Sequence, residues 1–184
     1  MSQPFHILKH EHRVIERVLR SLDGVCARLQ GGIVVPAPTL LEIADFITIF
    51  ADGYHHGKEE KHLFPALERR GITREGGPLG MMEYEHRVER ELIADLRQAI
   101  YFYRDGDEPA AHRFVEAAQA FLRLLVGHIE KEDSILFRIG DEVLDDDEKS
   151  ALVESFKQAD TALGGLTLQD YERMASELED KWAL

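Results

Sequence analysis

Cysteine is nearly absent: Cys26 is the only one among 184 residues. One thiol cannot close a disulfide within the chain, so nothing points to an oxidising compartment. Cys26 reads as a buried or half-buried helix residue. Proline is scarce as well, with 6 in all, and runs of β-branched residues are few, which leaves the chain free to be helical. Basic residues are in deficit: 22 Lys and Arg face 35 Asp and Glu, a formal net charge of −13. A nucleic-acid partner demands basic patches, so the expectation is no nucleic acid. Self-repulsion of this size suits a soluble protein. Long apolar runs are missing too. The opening "MSQPFHILKHEHR" does not read as a signal peptide. The stretch "FLRLLVG" is too short for a bilayer and contains Arg123. The expectation is a cytoplasmic protein with no membrane association.

What is present is helical periodicity. Leu8, Ile15, Leu19, Leu22, Val25 and Leu29 recur at spacings of three and four, predicting a first helix from about Pro4 to Leu29. "QGGIVVPAP" breaks it. Thr39 is placed to cap a second helix from about Leu40 to Arg70, stopped by Gly71 and bent or tightened at Pro65. A third helix is expected from about Leu79 to Arg104. A fourth follows Asp107 as cap and Pro109 in the first turn, and reaches Gly140. The segments "DEVLDDDEKSALVESFKQADTALGG" and "TLQDYERMASELEDKW" each predict a shorter helix. The fold class is therefore all-α: an antiparallel up-down four-helix bundle over residues 1–140 with a C-terminal helical extension over 141–184.

The chain also repeats itself. "EHRV" at residue 11 returns at residue 85, and "HHGKEEKHLFPAL" from residue 55 aligns with "HIEKEDSILFRIG" from residue 128. The alignment pairs His12 with His86, His55 with His128, and Glu59 with Glu132. Residues four apart on a helix point the same way, about 40° apart and about 6 Å along the axis. Each half thus supplies one His on its first helix and a His-x-x-x-Glu on its second. Four imidazoles and two carboxylates suit two first-row metals, with iron and manganese favoured by mixed N/O ligation. His128 falls on the stripe of Phe121, Leu124, Leu125, Glu132, Ile135 and Leu136. Burying an imidazole and a carboxylate among those apolar groups is costly unless a cation compensates. His56 and Glu60 form a second His-x-x-x-Glu pair, shifted by one; the alignment favours His55 and Glu59. His6, His10 and His112 read as solvated, and His62 as a residue behind the ligands.

The ordered set of motifs resembles the hemerythrin-like, or HHE cation-binding, family over roughly residues 6 to 140. His12 lies on the first helix, "H-x-x-x-E-E" with "L-F-P" on the second, "E-H" on the third, and "H-x-x-x-E-D" with "L-F" on the fourth. The resemblance implies a four-helix bundle enclosing two iron ions in an oxo- or hydroxo-bridged di-iron centre. His12, His55, His86 and His128 would be terminal ligands, and Glu59 and Glu132 bridging carboxylates. The oxygen-carrying members have His-x-x-x-His on the third helix. Here Met82 and Arg90 occupy the positions four before and four after His86, as in the six-ligand bacterial type. Glu16 or Tyr54 would be the residue to complete a coordination sphere. The implied function is binding of, or reaction with, oxygen, nitric oxide or peroxide. Two alternatives stand beside it. One is a ferritin-like iron oxidase, resting on the strings Glu59 to His62 and Glu83 to His86. The other is a non-enzymatic regulatory module in which metal or oxygen occupancy alters how the C-terminal helices dock on a partner or form a homodimer.

Overall fold

The computed structural model describes residues 1–159, 163 and 165–184. Residues 160–162 and 164, the end of the first C-terminal segment expected to be helical, lie outside the described residues. Helix α1 runs Gln3–Gln30, with Pro4 in its first turn, where no intrahelical N–H is needed. Gly32, at φ 73, then takes the left-handed conformation that ends it. The second rod starts with α2, Ala37–Phe46, continues through π-helical turns at Ile47–His56 and Glu59–Leu63, and finishes as α3, Phe64–Arg69. Helix α4 is Pro78–Phe102. The fourth rod joins α5, Glu108–Lys131, through a π-helical turn at Glu132–Leu136 to α6, Phe137–Val143. Then come α7, Asp146–Ala159, and α8, Leu168–Trp182. No strand occurs among the described residues.

The four rods form an antiparallel up-down bundle. Helix α1 packs between the second rod and α5, and α4 packs between the same two from the opposite corner. Asp107 caps α5 as expected, accepting from the Ala110 N–H at 3.2 Å. The second rod starts at Ala37 rather than near Leu40. The Ala37 N–H donates to Asp105 Oδ1 at 2.9 Å, so a distant loop caps it and Thr39 lies inside the helix. Around Pro65 the rod is widened, not tightened. The fourth rod widens at the matching place with no proline, so the repeat and not Pro65 accounts for the π turn. The same turn carries Ile135 outward to 53% exposure, off the stripe that a plain α-helix predicts.

Two apolar clusters sandwich a polar layer. Phe5, Leu8, Leu63, Phe64, Leu67, Met82, Leu136 and Phe137 lie on one side of it. Val14, Ile15, Phe50, Ile93, Phe121 and Leu125 lie on the other. The C-terminal helices extend these clusters: α8 lies along α1 with Tyr171, Ala175 and Leu178 buried, and α7 contributes Phe156. Full burial of a side chain such as Leu178 stabilises by about 1.5–3 kcal/mol.

The α1–α8 contact depends on a glycine. A Cβ on Gly24 would stand 1.8 Å from the Trp182 carbonyl oxygen. Arg28 bridges the same place, donating to the carbonyls of Gly24 and Trp182 at 2.9 and 2.7 Å. Gly24→Ala is expected to push the end of α8 off the bundle and to cost about 1–3 kcal/mol. Urea unfolding monitored by Trp182 fluorescence checks this; an unchanged midpoint would mean α8 contributes nothing to stability there.

Candidate metal centre

The polar layer is built from four imidazoles that share one arrangement. His12 Nδ1 stands 2.9 Å from Asp133 Oδ1, and His55 Nδ1 stands 2.8 Å from Glu11 Oε2. His86 Nδ1 stands 2.8 Å from Glu60 Oε1, and His128 Nδ1 stands 2.9 Å from Glu85 Oε2. A carboxylate on Nδ1 fixes the ring and leaves Nε2 as the lone-pair nitrogen facing inward. Each carboxylate is itself held by a cation. Lys58 donates to Glu11 at 2.6 Å, and Lys131 donates to Glu85. Arg13 donates to Asp133, and Arg90 donates to Glu60 at 2.7 Å. Two phenyl rings close the layer: Phe137 stacks on His12 at 5.4 Å, and Phe64 stacks on His86 at 5.8 Å.

This arrangement explains what the repeat is for. The Glu of each "EHRV" holds the imidazole of the opposite rod, and the His of each faces the centre. In "KEE" and "KED", at residues 58 and 131, the lysine supports the EHRV glutamate. The first acid faces inward, and the second holds the EHRV histidine. The "LF" that follows supplies the stacking phenyl.

Glu59 and Glu132 lie between the halves, fully buried. Glu59 Oε1 is 3.6 Å from His55 Nε2, and its Oε2 is 3.6 Å from His86 Nε2. Glu132 Oε2 is 3.2 Å from His12 Nε2, and its Oε1 is 3.4 Å from His128 Nε2. His86 Nε2 and His128 Nε2 approach to 3.1 Å. Two donors each about 2.1 Å from one ion stand about 3.0–3.6 Å apart at bond angles of about 90–120°. Every one of these separations fits that range. Among the described residues, Nε2 of His12 and His55, and both carboxylate oxygens of Glu59 and Glu132, have no hydrogen-bond partner. Buried polar atoms left unpaired are costly, and a cation is the partner this donor set fits. Burial, with the Glu132 charge beside it, raises the Glu59 carboxyl well above the usual carboxylate range. Burial acts on Glu132 too, but His128 and His12 draw it well below that range.

Two potential cation-holding groups result, sharing Glu59: His12, His55, Glu59 and Glu132, and His56, Glu59, His86 and His128. The six residues singled out from the repeat are therefore all brought together. So is His56, which the alignment disfavoured. Adjacent residues of an α-helix diverge by about 100°, so His55 and His56 cannot both face one way there. The i→i+5 turn at Ile47–His56 holds more residues per turn and narrows that angle. His56 is 2% exposed and its ring stacks on His86 at 3.9 Å. Glu89 joins it, 1% exposed, with Oε2 3.6 Å from His56 Nε2. Burial pushes the Glu89 carboxyl up to about 8.

Other sequence candidates lie elsewhere. Glu16 pairs with Arg13 near the surface. The Tyr54 ring packs on Phe50 and under the Lys58 ammonium. His62 faces Phe156 with ring centroids 6.4 Å apart, and Glu83 is held by Arg74. The strings Glu59 to His62 and Glu83 to His86 therefore do not converge. His6 and His112 are exposed, and His10 pairs with Glu172.

The family model for the hemerythrin HHE cation binding domain matches residues 3–139. The chain belongs to the hemerythrin HHE cation-binding family. That span holds every group of the polar layer and ends within α6, the last helix of the fourth rod. Among curated proteins, this hemerythrin-family chain is 30% identical over 150 residues to uncharacterized proteins of Mycobacterium bovis and of Mycobacterium tuberculosis strains CDC 1551 and H37Rv. The alignment covers 82% of this chain and 58% of each relative. The chain thus spans little more than half the length of these relatives. No solved structure matches it. The HHE domain is a cation-binding unit, and its buried His/Glu groups are where a cation fits. No described helix is long and apolar enough to cross a membrane.

Proposed function

We propose that residues 1–140 form a di-iron unit that binds and reacts with oxygen, nitric oxide or peroxide. The observation that carries the reading is the placement of Glu59 and Glu132. Each carboxylate sets one oxygen toward a histidine of the first half and the other toward a histidine of the second. Glu59 and Glu132, so placed, would each help to hold both ions. His12 and His55 would hold one iron, and His86, His128 and His56 the other. When bound, two such ions supply ferrous–ferric redox chemistry and places for a small ligand.

The chain's own groups do the rest. The Nδ1 carboxylates fix each imidazole ring with its Nε2 aimed inward, where it would hold an ion. The two apolar clusters and the stacked Phe64 and Phe137 exclude bulk water. One side is less sealed. Asp52, 3.6 Å from His56 Nδ1, is 21% exposed, and it is held by Arg90, 39% exposed. This polar edge connects the layer to solvent and gives protons a route inward. A carrier must keep protons from its oxygen complex, so the reading favours reaction over reversible carriage.

Anaerobically reduced protein mixed with oxygen in a stopped-flow spectrometer tests this. The expected result is oxidation with no lasting oxygen complex, and an oxidised form whose visible spectrum changes with azide, nitric oxide or peroxide. A long-lived complex that reverts to the reduced form under vacuum would overturn reaction in favour of carriage. No spectral response to any of these ligands would overturn the small-molecule reading itself.

One observation favours a regulatory role as second reading. Lys58, which holds Glu11 behind His55, has its ammonium 5.7 Å from the Phe156 ring of α7. Tyr171 of α8 packs on Phe50 at 5.0 Å. Displacement at His55 would thus be felt by both C-terminal helices.

A further inference from the structure

The two halves match at Glu11 and Glu85, His12 and His86, His55 and His128, Glu59 and Glu132, and Phe64 and Phe137. They differ at three neighbouring positions. Ile15 on α1 is matched by Glu89 on α4, and Leu125 and Ile129 on α5 are matched by Asp52 and His56 on the second rod. All three apolar residues are buried, at 1%, 1% and 3% exposure. Fully buried, therefore, α1 and α5 present plain core at these places, whereas α4 and the second rod present an acid and an imidazole facing each other.

Glu89 has no role in the arrangement that supports the four inward imidazoles. It holds no Nδ1, since those places belong to Glu11, Glu60, Glu85 and Asp133. Among the described residues, neither of its oxygens has a hydrogen-bond partner, and neither do the two ring nitrogens of His56. Its separation from His56 Nε2 is 3.6 Å, the same as that of Glu59 from His55 and from His86. It lies one turn along α4 from His86, and the His56 ring stacks on that same His86. A buried carboxylate with both oxygens unpaired is strongly destabilising if it serves nothing. Isoleucine, the residue at the matching place, would avoid the cost.

We propose that Glu89 is a ligand of the ion held beside His86 and His128, so that the two ion positions are chemically unequal. The inference rests on the two-ion reading above and adds to it. The position beside His86 and His128 gains two protein donors, the His56 nitrogen and the Glu89 carboxylate. The position beside His12 and His55 gains none. The first ion is then held more tightly and is more nearly surrounded by protein. The second keeps the places that solvent or a small ligand occupies. Exchange of azide, nitric oxide or oxygen takes place at the His12–His55 position. The added carboxylate also biases its neighbour toward a hard cation such as iron or manganese.

The test uses the full chain stripped of metal and titrated anaerobically with ferrous iron enriched in the Mössbauer isotope. The wild type should bind in two resolved steps and, when full, give two quadrupole doublets of equal area. Glu89→Ile inserts the residue of the matching position. It should still take up two ions, with the tighter step weakened by at least about tenfold and the doublets brought closer together. Glu89→Gln, which keeps the side-chain size, should weaken the same step, and it replaces the isoleucine variant if that one fails to fold. Neither variant should lower the thermal stability of the metal-free chain, because an unpaired buried acid has been removed. Unchanged steps and unchanged doublets in both variants would overturn Glu89 as a ligand. A wild type that takes up fewer than two ions would instead overturn the two-ion reading.

Discussion

Glu59→Ala is expected to reduce the iron content from about two ions per chain to well under one, a larger loss than removal of any single histidine. Each terminal imidazole faces one ion position, so His12→Ala or His128→Ala removes one donor from one ion. Glu59 faces both, with Oε1 toward His55 and Oε2 toward His86. It also belongs to both cation-holding groups. Truncation takes a charged donor from each ion at once and leaves Glu132 as the sole carboxylate between the halves. Elemental analysis of protein made in iron-replete cells, with helicity checked by circular dichroism, measures it. His112→Ala serves as control, because His112 is exposed and pairs only with Glu116 on its own helix. Retention of near-stoichiometric iron in Glu59→Ala would show that the carboxylate does not bridge.

Removal of the metal is expected to lower the melting temperature by about 15–30 °C. A ligand at a thousandfold excess over its dissociation constant stabilises the native state by about 4 kcal/mol, so two ions contribute about 8 kcal/mol. For a chain of this size each kcal/mol corresponds to about 2–4 °C. The structure supplies the cause. Without a cation, the Glu59, Glu89 and Glu132 oxygens, Nε2 of His12 and His55 and both ring nitrogens of His56 are buried without hydrogen-bond partners among the described residues. The chelated protein should stay helical, since two apolar clusters flank the layer, but its four rods should separate more readily there. Differential scanning calorimetry before and after chelation, and after adding iron back, checks this. A melting temperature that does not change on chelation and does not rise on reconstitution would mean the ions contribute nothing to the fold.

The sequence by itself determined the helical rods, their order and six inward positions: His12, His55, Glu59, His86, His128 and Glu132. All of these follow from local periodicity. Leu8, Ile15 and Leu22 mark one face of α1 wherever the rest of the chain lies. His128 and Glu132 share a face because four residues make about one turn. The repeat of "EHRV" and of "KE" with its following acid placed those faces in two matching halves, which fixed His12 opposite His86 in role. Even the supporting groups were legible in the repeat once their purpose was known: Glu11, Glu85, Lys58 and Lys131 stand at matched places.

Only the tertiary structure decided what depends on contacts between rods or on departures from α-helical geometry. That Glu60 holds His86, 26 residues away, and that Asp133 holds His12, 121 residues away, requires the bundle to close. Ala37 opens its helix early because Asp105 arrives from another loop. The alignment favours His55 over His56, and an α-helix turns adjacent residues about 100° apart. The π turn admits both, and no residue-to-residue periodicity announces it. Nothing in the repeat marks Glu89, since the residue matching it is Ile15. Helix α4 presents Glu89 to His56 on a neighbouring rod, whereas the matching Ile15 lies in the apolar core. Helical spacing is a property of the chain within a few residues; which buried acid meets which buried imidazole is a property of the packed bundle.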